Sequence, residues 1–217
     1  MEITKRPSPN FNARKGGMVA RYVIIHFTAM DSADDACERL CDPQFEVSAH
    51  YLIGKDGAVV QMVEENDRAW HAGTSYWQGI TDMNSASIGI ELDNNGGRPF
   101  ENAQYEVLIE LLKGISERHD IPLTNILGHQ DIAAGRKFDP GAWFDWARLD
   151  VAGVSAPPKG EGEHPRTEEG FRALATSAGY DGNADLDALL TNIRIRHGAT
   201  PFFGALRDGD FGLLVCS

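Results

Sequence analysis

The segment RYVIIHFTA at residues 21–29 follows Arg21 and Tyr22 with the consecutive β-branched residues Val23, Ile24 and Ile25, and the next titratable group is His26. A strand with one face in water alternates apolar and polar residues. A run that is apolar on both faces needs cover on both, so it belongs at the centre of a sheet with layers above and below. SIGIELD at 87–93 has the same character, interrupted by a carboxylate at Glu91.

The other elements arrange themselves around these two strands. The acidic segment 31–42 reads as a helix ended by Asp42-Pro43, and VSAHYLIGKDGAVVQMV (47–63) reads as a hairpin turning at Lys55-Asp56-Gly57. Residues 64–84 read as loop, 101–120 as a helix with an apolar stripe at 105, 108, 109, 111, 112 and 115, and NILGH (125–129) as a short strand. An irregular loop over 130–142 and a short helix in WFDWARLD follow. Residues 152–167 are rich in Pro, Gly and charge and read as a linker. This divides the chain into a main unit (1–151), the linker, and a small region of short helices (168–217) too short for much core of its own.

Composition narrows the function. A chain of 217 residues with a net charge of −12 does not suit nucleic acid or an anionic membrane as main partner. No apolar run is long enough to span a bilayer and no signal-peptide pattern opens the sequence, so insertion into a membrane is not expected and the cytoplasm is the expected compartment, with the envelope or secretion by a non-classical route as the alternative. Cys37, Cys41 and Cys216 form no CxxC pair and read as free thiols.

Three places put reactive residues at the ends of apolar strands. His26 closes YVIIH, Glu91 lies inside SIGIEL, and His129 opens ILGHQDIAAGRKFDPG, which carries Lys137 and Asp139. Two histidines and a carboxylate leave a fourth tetrahedral position open, the pattern of a catalytic zinc. Each residue also has a plainer reading. His26 and His129 suit hydrogen-bonded core histidines, Glu91 a salt bridge with Arg21 or Arg68, Lys137 a solvated loop cation, and Asp139 a turn residue. His50 suits structural support, and His71, in AWHAGTSYW, suits a cleft wall.

Taken together, VIIHFTA, VSAHYLIGKDGAVVQ, RAWHAGTSYWQG, NSASIGIEL and GHQDIAAGRKFDPG resemble, in this order over about residues 20–150, the zinc-dependent N-acetylmuramoyl-L-alanine amidases of the AmpD/AmiD type. The resemblance implies an α/β fold with a mixed central β-sheet flanked by helices and a small helical appendage. It implies one zinc ion (Zn2+) per chain, held by His26, His129 and Asp139, with Glu91 handling the proton of the attacking water and Lys137 stabilising the oxyanion. His71, Trp70 and Asn84 are the expected substrate contacts. The implied substrates are peptidoglycan fragments, anhydro-muropeptides among them, cut between N-acetylmuramic acid and L-alanine.

Phage relatives in the wider superfamily carry a tyrosine and a cysteine where this chain has Ala49 and Asp139, which places it with the bacterial branch. The tail weakly resembles a peptidoglycan-binding module, with Ile193-Arg194 replacing the usual aromatic–Gln pair. The rival expectation is a non-catalytic recognition module of the same fold.

Overall fold

A computed structural model describes residues 2–215, so Cys216 lies outside the described residues. Six strands form one mixed sheet: β1 (Ile3–Lys5), β3 (Tyr22–Phe27), β4 (Tyr51–Ile53), β5 (Val59–Gln61), β7 (Ser87–Leu92) and β8 (Ile126–Gly128). Their order is β1-β5-β4-β7-β3-β8, while β2 (Phe11–Ala13) pairs separately with β6 (Asp67–Ala69). The two runs that are apolar on both faces, β3 and β7, lie side by side in the interior of the sheet and pair in parallel.

The period of two in a strand splits β3 between two cores. Val23 and Ile25 join Ile88, Ile90 and Leu92 on one face, under α3 (Asn102–His119), which buries Tyr105, Leu108, Leu111, Leu112 and Ile115. Tyr22 and Ile24 join the core on the other face, and His26 follows them in the alternation. The β3–β7 register sets His26 against Glu91, and the β3–β8 register sets Ile25 against Gly128. His26, Glu91 and His129 are therefore gathered at one edge of three adjacent strands by pairing alone.

The expected hairpin forms between β4 and β5, with Gly57 at φ 85°, in the left-handed region that glycine tolerates. Helix α1 (Ala33–Cys41) starts at Ser32, whose side chain accepts from the Asp35 N–H, and stops at Asp42, before Pro43. Two segments differ from the sequence reading. Residues 64–84 contain β6, because pairing with β2 turns a polar stretch into a strand, and the start of the single turn α2 (Met83–Ala86). The loop after β8 begins as a helical turn, α4 (His129–Ile132), in which Asp131 Oδ2 accepts from the Gly128 N–H at 2.8 Å.

Beyond α5 (Trp146–Val151), residues 152–167 hold neither helix nor strand, yet they are bonded on both sides. Ala156 N–H donates to Leu123 O at 3.0 Å and Gly160 N–H to Leu214 O at 2.7 Å. Helices α6 (Glu168–Ala178), α7 (Leu186–Arg196) and α8 (Asp208–Leu214) bury Phe171, Leu174, Leu189, Leu190, Ile193 and Phe211 in one cluster with Ile24, Leu127 and Ile132 of the sheet layer. The tail thus completes the second face of the sheet.

Candidate metal centre and active site

His26, His129 and Asp139 converge at the ends of β3 and β8. His26 Nδ1 lies 3.0 Å from His129 Nδ1 and 2.9 Å from Asp139 Oδ2, and His129 Nδ1 lies 3.0 Å from the same oxygen. All three residues are buried, and among the described residues they form the group of His, Cys, Asp and Glu side chains able to hold a metal ion. Gln130 ties the two ends of the loop together. Its N–H donates to Asp139 O at 2.8 Å, and its Oε1 accepts from the Gly141 N–H at 3.2 Å.

The donor set fits zinc. His129 Nε2 lies 3.0 Å from the Ala72 carbonyl oxygen, which can only accept, and 3.3 Å from Arg136 Nη2, which donates to that same oxygen at 2.7 Å; the shorter contact assigns the proton to Nε2, and Nδ1 turns a lone pair toward the centre. A lone pair facing a buried carboxylate at 3.0 Å calls for a cation between them. Zinc–nitrogen distances of about 2.0–2.1 Å at a tetrahedral angle separate the donor atoms by about 3.3 Å, close to the spacing found. Burial, and then the charge of His129, lower the His26 imidazole to about 4, so it is neutral near pH 7 as a ligand must be. Burial pushes Asp139 up, but hydrogen bonds from His129 and His26 outweigh it and hold the carboxyl well below the usual carboxylate range.

Glu91 sits beside this group. Its Oε2 is buried without a hydrogen-bond partner, and no ion pair to it forms among the described residues. Arg68 is engaged elsewhere, with Asp82 Oδ1 at 2.9 Å. Burial and then the negative charge of Asp139 raise Glu91 to about 8, against the pull of Lys137. Lys137 is held through its N–H on Ala133 O at 3.0 Å, and its side chain is half-buried. Glu91, Lys137 and the three converging residues all line one cleft of about 490 Å³, which Trp70, His71, Arg136 and Phe138 also line.

The remaining expected residues have distinct places. Trp70 is on the cleft wall, with Nε1 donating to Asn12 Oδ1 at 3.0 Å. Asn84 is buried, and its Oδ1 accepts from the His71 N–H at 2.9 Å and the Ala72 N–H at 2.7 Å, fixing the WHAG loop. His71 Nδ1 lies 3.0 Å from His26 Nε2. His50 is structural: its Nδ1 accepts from the Gly89 N–H at 2.9 Å and its Nε2 faces Asp67 O at 3.1 Å.

Sequence reasoning missed Arg136 and Gln130. Arg136 Nη2 donates to Ala72 O at 2.7 Å, clamping the WHAG loop to the loop that carries His129 and Asp139. In GRKFDPG nothing separates Arg136 from a solvated cation, because its partners are backbone carbonyls some 60 residues away in the chain.

Residues 16–142 match the family described as N-acetylmuramoyl-L-alanine amidase. The chain is 38% identical over 193 residues to the N-acetylmuramoyl-L-alanine amidase AmiD of Escherichia coli, covering 76% of this chain and 68% of that one. It is 38% identical over 159 residues to the 1,6-anhydro-N-acetylmuramyl-L-alanine amidase AmpD of Haemophilus influenzae, covering 65% and 86%. The solved complex of E. coli AmiD with anhydro-N-acetylmuramic acid-L-Ala-D-gamma-Glu-L-Lys superposes with a TM-score of 0.80 at 32% identity, over 92% of this chain and 89% of that one. AmpDh3 from Pseudomonas aeruginosa superposes with a TM-score of 0.74 at 29% identity, over 96% and 93%.

Proposed function

The chain belongs to the N-acetylmuramoyl-L-alanine amidase family and is such an amidase; we propose that it works with one zinc ion held by His26 Nδ1, His129 Nδ1 and Asp139 Oδ2. The observation that carries this reading is the approach of these three atoms to within 2.9–3.0 Å of one another in the cleft that also holds Glu91 and Lys137. Zinc at such a centre supplies Lewis acidity toward the amide carbonyl and toward water.

The protein's own groups do the rest. The bond cut joins the lactyl carbonyl of N-acetylmuramic acid to the nitrogen of L-alanine. Glu91, with a proton affinity near neutrality, takes a proton from the attacking water as oxygen bonds to the carbonyl carbon. It returns that proton to the alanine nitrogen as the C–N bond breaks, leaving a carboxyl group and a free amine. The Lys137 ammonium offsets the charge that develops on the carbonyl oxygen. Arg136, bonded to Ala72 and Thr74 carbonyls, keeps the two walls of the cleft at a fixed separation.

The substrates in this proposal are soluble anhydro-muropeptides, supported by relatives named for 1,6-anhydro substrates and by a related structure that holds one. The division into a catalytic unit of residues 1–151, a connector over 152–167 and a helical region over 168–217 belongs to the same proposal. Among the described residues, no helix is long and apolar enough to cross a membrane. The test is release of the L-alanine-led peptide from anhydro-muropeptide and from intact sacculi, with and without a chelator. The expected result is faster release from the anhydro fragment, abolished by chelator and restored by zinc. Chelator-insensitive release would remove zinc from the reading. No release from either substrate would favour the recognition-module alternative.

A further inference from the structure

We infer that His71 is a positioning residue for the metal centre, acting with Ser87 to fix the ring of His26 so that its Nδ1 turns a lone pair toward the ion. The inference rests on the zinc reading above. It follows from tracing proton direction along a chain of contacts from a backbone carbonyl.

The chain starts at the Met83 carbonyl oxygen, which can only accept. Ser87 Oγ lies 2.5 Å from it, so the serine hydroxyl proton points there. Ser87 Oγ then has only lone pairs left to offer His71 Nε2, 3.4 Å away, so His71 carries its proton on Nε2. A neutral imidazole protonated on Nε2 has a lone pair on Nδ1. His71 Nδ1 faces His26 Nε2 at 3.0 Å, so His26 donates from Nε2 and presents a lone pair at Nδ1. The reverse arrangement would set the Nε2 lone pair of His71 against the lone pairs of Ser87. It would also leave a proton on the His26 atom that faces His129 Nδ1 at 3.0 Å.

His129 reaches the same state by a direct contact with the Ala72 carbonyl. The two zinc-ligand histidines thus have their outer nitrogens anchored by different means, one on a backbone carbonyl and one through an imidazole and a hydroxyl.

The surroundings of His71 are built for this role. The Asn84 side chain holds its backbone N–H. Its ring stands edge-on to His26, with centroids 5.1 Å apart at 84°. A Cβ at Gly89 would come within 2.5 Å of His71 Cγ, so the glycine of SIGIEL is what gives the ring its place over β7. With both ring nitrogens engaged inside the protein, His71 serves the site from behind a ligand, although it borders the cleft.

The test is zinc affinity, measured by competition with a chromophoric chelator on metal-free full-length protein. Outer partners of metal-bound histidines typically contribute about 10–100-fold in metal affinity. His71→Leu, which keeps bulk and removes the acceptor, is expected to lose an amount in that range. His71→Asn, whose Oδ1 can accept where Nδ1 did, is expected to stay within about threefold of wild type. Wild-type affinity in His71→Leu overturns the inference, as does an equal loss in both variants, which would mean that the ring fills space only. Thermal unfolding of the metal-free variants separates loss of affinity from loss of fold. If neither His71 variant folds, Ser87→Ala decides: weakened zinc binding supports the chain of contacts, and unchanged affinity overturns it. Wild-type protein that binds no zinc would instead defeat the zinc reading itself.

Discussion

Two buried polar clusters in this protein are handled in opposite ways. In the tail, Arg194 has no exposed surface, yet each of its five N–H groups is used. Nε and Nη2 meet Asp210 at 2.8 and 2.6 Å, and the carbonyls of Phe202, Gly204 and Ala205 take the remaining donors. At the strand ends, Glu91 Oε2 is also enclosed and has no partner among the described residues, while His26 Nδ1 and His129 Nδ1 crowd Asp139 Oδ2 and one another. The first arrangement is saturated and can only hold structure. The second has unused capacity aimed at a cleft. Orphan atoms alone do not mark a site, since Trp77 Nε1, Tyr180 Oη and Arg196 Nε are also unpartnered. Convergence on one open cleft is what separates Glu91 from them.

The strongest way to break this contrast is Asp139→Ala. It should abolish zinc binding and reduce peptide release below detection, with metal content read by atomic emission. Retained zinc would dissolve the contrast at its centre. Glu91→Gln should keep zinc and lower turnover by about 10²–10⁴-fold, the usual worth of a general acid–base group. A rate near wild type would return Glu91 to a structural role.

On the tail side, Arg194→Met leaves Asp210 with only the Arg207 N–H at 2.7 Å and the half-exposed Arg207 guanidinium at 3.5 Å, and should cost about 3 kcal/mol of stability. Pairing it with Asp210→Leu should recover most of that loss in denaturant unfolding. A double variant no more stable than the single would show that the backbone carbonyls, rather than the carboxylate, dominate the cluster.

The smallest effect sharpens the comparison at a third, half-buried cluster. Burial opposes ionisation of Glu65, but hydrogen bonds from Arg118, His119 and Tyr51 outweigh it and lower the carboxyl to about 2. A lowered folded-state value gives stability that is complete above the unfolded value near 4.5 and is lost as pH falls toward 2. The contribution should be on the order of 2 kcal/mol. Glu65→Gln should flatten the stability profile between those pH values, and an unchanged slope would assign the acid sensitivity elsewhere.

Much of the fold was legible because it rests on local patterns. The consecutive apolar runs of β3 and β7, the glycine turn after Lys55 and the stripe of α3 each follow from periodicity or turn chemistry within one segment. The site was legible in a different way. His26 and His129 stand out at the ends of apolar strands, Glu91 inside one, and Lys137 and Asp139 in the loop that follows His129, but the metal and catalytic roles proposed for them rest on the resemblance of five ordered blocks. Hydrogen-bond partners were not legible. That Asn84 fixes a loop, that Arg136 clamps two carbonyls and that His71 faces His26 all depend on groups 12 to 64 residues away along the chain.

Residue type and spacing alone thus mark which residues could do chemistry here and which strands lie at the centre, since they set the demand for burial. It takes the packed chain to leave the carboxylate in SIGIEL unpaired among the described residues while a tail arginine is saturated, and to bring two histidines 103 residues apart onto one carboxylate oxygen. The physical reason is that burial is a local demand, whereas satisfaction of a buried polar group depends on what strand register and helix packing bring beside it.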